Sequence, residues 1–228
     1  MSRPLFLRLC LWTAVAFVLI CAWDLLGLDL TLARWSGTAT GFPLRDNWLA
    51  STVLHSGARR LAWALQFGLV LAIWWPVGAL CLLTRRERVH MLAASLFALA
   101  LVWVLKSWSQ TSCPWDLAEF GGAAAYVSHW TWGMADGGEG RCFPAGHASA
   151  GFCFLSGYFW LRVKAPRAAN AWIAVTLLTG AVIGVAQQVR GAHYISHTLW
   201  TAWLCWAAAG LAYCVLEAKA MRSAWRSS

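Results

Sequence analysis

The feature that most limits how this chain can fold is a series of apolar runs, uncharged near their centres and each about as long as a bilayer is thick. They fall at about 9–29, 61–83, 91–110, 147–163, 171–189 and 194–216, each near the ~20 residues that carry an α-helix across the hydrocarbon core. The expectation is an all-α, polytopic membrane bundle of about six transmembrane helices, built by residues 1–228 as one domain. Composition agrees, because 60% hydrophobic against 12% charged residues is too apolar for an ordinary soluble domain. The opening MSRPLFLR and the run after it resemble a signal peptide. No small-residue cleavage site follows, however, and Trp12, Trp23 and Asp24 fit a retained first span. Eighteen Trp suit interfacial belts, where an indole keeps its ring in lipid and its N–H at the headgroups.

The loops between runs predict the orientation. With the N-terminus inside, one face holds Arg3, Arg8, Arg85, Arg86, Arg88, Arg162, Lys164, Arg167, Lys219, Arg222 and Arg226, with only Glu87 and Glu217 as acids. The other face holds Arg34, Arg45, Arg59, Arg60, Lys106, Arg141, Arg190 and most of the acids. The positive-inside rule makes the first face cytoplasmic. The net charge of +9 is therefore mainly a topology signal, with attraction to anionic membrane lipid second. Nothing beyond that charge suggests a nucleic-acid partner, and protein partners are not readable.

Chemistry concentrates on the outer face. Two long segments lie there, about 30–60 and 107–146, together with His55, His129, His147, His193 and His197 of the six histidines; long loops on a compact scaffold often carry function. Cys113 and Cys142 share the second segment, where an oxidising compartment permits a disulfide, with free thiols as the alternative. The aromatic HWTWGM, residues 129–134, reads first as an interfacial anchor and second as the border of an entrance.

Three short stretches stand out. KSWSQTSCPWDL carries Lys106 and Pro114. RCFPAGHASAG places a turn with Gly146 and His147 before an apolar helix, where backbone N–H groups suit an anion. RGAHYISH adds Arg190, His193 and His197, and ionisable groups so close to a membrane span are expensive enough to be functional suspects. His193 and His197 share a face if their segment is helical. Together these stretches supply cations and amides for phosphoryl oxygens, a nucleophile and an acid.

In order and spacing they resemble the type 2 phosphatidic acid phosphatase family, the integral-membrane branch of the fold shared with vanadium-dependent haloperoxidases. That family's pattern is Lys, six residues, Arg-Pro; then Pro-Ser-Gly-His; then Ser-Arg, five residues, His, three residues, Asp. Here Lys106 and Pro114 match with Cys113 in place of Arg, and Pro144, Gly146 and His147 match with Ala145 in place of Ser. His193 takes the nucleophile position, Gln187 the Arg position and His197 the Asp position. The match spans roughly residues 100–205.

The resemblance implies that His193 attacks phosphorus to form a phosphohistidine, that His147 protonates the leaving oxygen, and that Lys106 and the N–H groups near Ala145 and Gly146 hold the phosphoryl oxygens. No cofactor or metal is implied. Arg141 and Arg190 are candidates to replace the missing arginines in space, and a Cys113–Cys142 bridge would draw Arg141 towards the Lys106 segment. His197 offers no full charge to an imidazolium at His193, which leaves Asp116 and Asp136 as loop carboxylates that can reach in. The expected substrate is an amphiphilic lipid phosphate or pyrophosphate met at the outer, periplasmic face of a bacterial inner membrane. Three other readings remain open: a lipid phosphotransferase, a Zn²⁺ hydrolase using His147, His193 and His197, and a noncatalytic lipid-phosphate binding or transport protein.

Overall fold

The computed structural model describes residues 3–131 and 133–226, with side chains from 6 to 217 in that range. Trp132 and the side chains of Arg3, Lys219, Arg222 and Arg226 therefore lie outside the described residues. Eight α-helices follow one another: α1 (Arg3–Leu25), α2 (Leu28–Ser36), α3 (Ala58–Leu71), α4 (Arg85–Trp108), α5 (Ser149–Phe152), α6 (Ser156–Lys164), α7 (Pro166–Val189) and α8 (Ile195–Arg226). A π-helical turn, Leu49–Gly57, runs straight into α3, and a 3₁₀ turn, Cys153–Leu155, joins α5 to α6. No strand occurs among the described residues, only isolated bridges.

Among the described residues, four helices are long and apolar enough to cross a membrane: Phe6–Leu25 within α1, α4, α7, and Ile195–Glu217 within α8. The expected span at 61–83 is shifted towards the N-terminus. Helical structure runs over 49–71, and the chain from Ala72 to Thr84 turns back as bends and a 3₁₀ helix through Pro76 and Gly78, residues that cannot sustain a helix. The expected span at 147–163 is a broken α–3₁₀–α segment over 149–164. Nearly all of it is buried, so its apolar composition serves protein contacts. The first outer segment is also shorter than expected, because α2 and the π turn occupy both its ends.

α4 and α8 form the central pair, with α5, α6 and α7 packed around them. Two glycines set the closest approach: a Cβ on Gly151 would strike the Gly180 backbone of α7, and one on Gly180 would strike the Phe152 ring. α1 leans against α8 and exposes Leu7, Leu11, Trp12, Val18 and Leu19, the pattern of a helix that faces lipid. At one end of the bundle α4 opens with a capping box between Thr84 and Glu87, and Lys164 Nζ reaches Glu87 Oε2 at 2.5 Å. Arg88 donates to the carbonyls of Ile73, Leu80 and Leu83, which satisfies the backbone of the 72–84 connection. The opposite end of α4 delivers Lys106.

Candidate active site

The three stretches singled out in the sequence meet at the Lys106 end of the bundle, joined mainly by backbone. Arg141 N–H donates to Ser109 O at 2.8 Å, Cys142 N–H to Thr111 O at 2.9 Å, Trp115 N–H to Gly191 O at 3.0 Å and Ala145 N–H to His197 O at 3.2 Å. A Cys113–Cys142 disulfide adds a covalent tie. The third stretch turns sharply after α7, where Gly191 adopts φ +75° and donates to Gln188 O while Ala192 donates to Gln187 O. Glycine is the residue that takes this left-handed cap without strain, and here the Phe42 ring fills the space a Cβ would need.

His193 lies at the centre, 1% exposed. Its Nδ1 faces Cys142 Sγ at 3.4 Å, and its Nε2 faces His147 Nδ1, also at 3.4 Å. A disulfide sulfur carries no proton, so any hydrogen bond there is donated by His193 Nδ1–H, which leaves Nε2 as the bare nitrogen. Burial holds His193 well below the usual imidazole range, with the charges of Lys106, His147 and His197 adding to the effect. Burial likewise holds His147 down to about 3, followed by the charges of His55, Lys106, Arg190 and Arg59. Both shifts favour uncharged rings at neutral pH, set beside the Lys106 and Arg190 charges in a pocket suited to an anion.

Lys106 Nζ donates to Arg141 O at 2.5 Å, and its stem lies along Gly146, where a Cβ would sit 3.1 Å from Lys106 Cδ. Gly146 therefore lets the lysine pass beside His147. Arg190 is buried; its Nε donates to Arg45 O at 2.7 Å and one terminal nitrogen to Gln187 Oε1 at 3.1 Å. The rest of its guanidinium is within electrostatic reach of His147.

Several expectations change on contact with this geometry. Arg141 joins the site through its carbonyl, with φ +57°, while its guanidinium is exposed. The Ala145 N–H already serves His197 O, whereas the Gly146 N–H has no partner among the described residues. Asp116 accepts from Cys113 N–H and Asp136 from Ser112 and Gly138, so both carboxylates brace the loop and neither reaches His193. α8 begins at Ile195, so His193 precedes the helix and the i, i+4 relation to His197 does not hold. The two rings stand 6.1 Å apart, and His197 Nδ1 donates to Cys142 O at 3.0 Å. This divergence also counts against a Zn²⁺ site made from His147, His193 and His197.

Other residues at the site had no individual role assigned from the sequence. Asp29 of α2 caps α8, accepting from the Ser196 N–H at 3.0 Å and from its hydroxyl. Asp24 accepts from the indoles of Trp130 and Trp200 at 2.9 and 2.8 Å and lies 3.3 Å from His129 Nε2. His55 stacks against His147 with ring centroids 4.1 Å apart. An acid at the end of a long apolar helix was the available signal for Asp24, whereas Asp29 lies in the mixed, short α2 and had none.

A family model described as the PAP2 superfamily matches residues 87–221. In architecture the chain is similar to the crystal structure of a transmembrane PAP2-type phosphatidylglycerolphosphate phosphatase from Bacillus subtilis, with 17% identity, a TM-score of 0.53, and 95% of this chain and 96% of that chain covered. At that identity the likeness concerns the fold. No curated protein is matched significantly.

Proposed function

This chain belongs to the PAP2 superfamily, and from that premise we propose that it is a membrane lipid phosphatase working through a phosphohistidine on His193. The observation that carries the reading is the convergence of His193 Nε2 and His147 Nδ1 at 3.4 Å, with Lys106 alongside and the Arg190 charge within reach. Burial and the proton on Nδ1 leave Nε2 free to attack phosphorus. Lys106, Arg190 and the Gly146 N–H hold the phosphoryl oxygens, His147 faces the departing oxygen, and water releases phosphate from His193. A phosphoryl group parts the two rings. The ring that yields is His147, which borders an open groove, whereas His193 is enclosed.

Two departures from the family pattern acquire roles in this reading. Cys113, at an Arg position, becomes half of the disulfide that pins the Cys142 segment behind His193. His197, at the Asp position, braces the same segment through Cys142 O and acts as a positioning residue. The substrate is an amphiphilic lipid phosphate or pyrophosphate, a reading supported by the similarity in fold to a Bacillus subtilis protein described as a phosphatidylglycerolphosphate phosphatase. We read the whole chain as one domain with six membrane-crossing segments. Its termini are cytoplasmic and its site lies at the periplasmic face of an inner membrane.

The test is phosphate release from a panel of lipid mono- and diphosphates by purified protein, wild type against His193→Ala. Loss of the nucleophile is expected to lower the rate at least ~10³-fold. Equal release by the two proteins across the panel would overturn the enzyme reading.

A further inference from the structure

Beside the site lies a groove of ≈ 550 Å³ between the α3 segment and α4, lined at its head by His55, Arg59, Lys106 and His147 and below by Trp63 and Leu99. His55 ends the π turn and Arg59 opens α3. Because they are four residues apart in continuous helix, both present to the same side. His55 covers the face of His147, with centroids 4.1 Å apart. Arg59 is exposed and has no hydrogen bond or ion pair among the described residues, yet its charge acts on His147.

The direction of the reaction fixes what this pair meets. Attack comes from His193 Nε2, and the leaving oxygen departs on the His147 side. The first atoms of the leaving group then pass His55 and Arg59 before the tail enters the apolar part of the groove. On the phosphatase reading above, we infer that His55 and Arg59 form a subsite for a leaving phosphate and make this chain prefer lipid diphosphates to lipid monophosphates.

The chemistry of the leaving group supports this. As the His193 Nε2–phosphorus bond forms, the phosphorus–oxygen bond breaks and its electron pair goes to the leaving oxygen. An alcohol departs only with a proton, which has to come through His147. A lipid monophosphate leaves without one, since its second ionisation lies near about 6, and its charge passes to Arg59. Water then cleaves the nitrogen–phosphorus bond and yields inorganic phosphate.

The experiment measures kcat/KM of the full-length protein in detergent for a polyprenyl diphosphate and the monophosphate with the same tail. Wild type is expected to favour the diphosphate by at least about tenfold. Arg59→Ala should lose about 30-fold on the diphosphate and less than about threefold on the monophosphate, with Arg59→Lys recovering part of the loss. Monophosphate turnover reports that the variant is folded. Equal losses on both lipids, or no loss on either, would overturn the subsite, the second outcome leaving Arg59 as a side chain that snorkels to headgroups. Absence of a wild-type preference, with His193→Ala inactive, removes the subsite and leaves the phosphatase reading standing. Absence of turnover on both lipids removes both.

Discussion

The two arginines offered as substitutes for the family's missing forks occupy different physical positions. Arg190 is buried, its guanidinium half-held by Arg45 O and Gln187 Oε1, with its charge directed at His147. Arg141 contributes a carbonyl to Lys106 while its side chain faces solvent. Arg190→Ala is therefore expected to lower kcat/KM for a lipid phosphate about 100-fold, as expected for loss of a buried charge-assisted contact to the phosphoryl group. Arg141→Ala should stay within about threefold, because alanine keeps the carbonyl. The reverse order in a phosphate-release assay would show that the exposed guanidinium folds back onto the substrate. Motif spacing singled out His147, His193 and Lys106, and the structure brings them to one end of the bundle; the roles given to them are the proposal. The placement of His197 was not legible, because it depends on where α8 starts, beside the Ser196 N–H that Asp29, far away in sequence, accepts from. His55 was legible as one of the outer-face histidines, but its stacking on His147 and the nearness of the Arg59 charge are relations that no local pattern records.

Among the elements, α4, α7 and α8 were readable because each is a long apolar run, and for such runs the need to satisfy backbone polar groups in lipid leaves little choice. The segment before α4 was misplaced because hydropathy weighs Trp74, Trp75 and Leu80 as a span continuing to 83, whereas Pro76 and Gly78 end the helix and Arg88 supplies donors to the resulting carbonyls. α5 and α6 read as a span although burial between α4, α7 and α8 explains their composition equally well. The loop from 109 to 147 is held by short elements and by the Cys113–Cys142 disulfide, which closes a sequence separation of 29. Removing a cross-link over such a loop costs roughly 3–4 kcal/mol in the chain-entropy model. Paired Cys113→Ser and Cys142→Ser changes are expected to lower the thermal midpoint in detergent. They should also lower kcat, because the freed segment carries the carbonyls that hold Lys106 and His197. An unchanged midpoint together with unchanged turnover would mean that the backbone hydrogen bonds alone position the site.

At the scale of the whole molecule, every long helix connects the same two ends. α4 runs from the Arg85–Arg88 corner to Lys106, α7 from Pro166 to the Gly191 cap beside the site, and the α3 segment from His55 down to the connection that Arg88 holds. Lys164 meets Glu87 at the basic end, so the two short basic turns read from sequence share one face in space. Exposed Trp12, Trp63, Trp74, Trp75, Trp103 and Trp108 ring a bundle whose outward surface suits lipid. On the orientation we propose, with the positive loops cytoplasmic, the histidine cluster faces the far side, where a lipid would reach it laterally with its tail in the groove beside α3. A cysteine introduced as Gly137→Cys, in the loop above the site, is expected to react with a membrane-impermeant maleimide added to cells whose outer membrane has been opened. One introduced as Arg86→Cys should react only after the inner membrane is permeabilised, as should the exposed native Cys81. The opposite labelling order would invert the molecule. It would move the substrate to the cytoplasmic leaflet while leaving the chemistry at His193 unchanged.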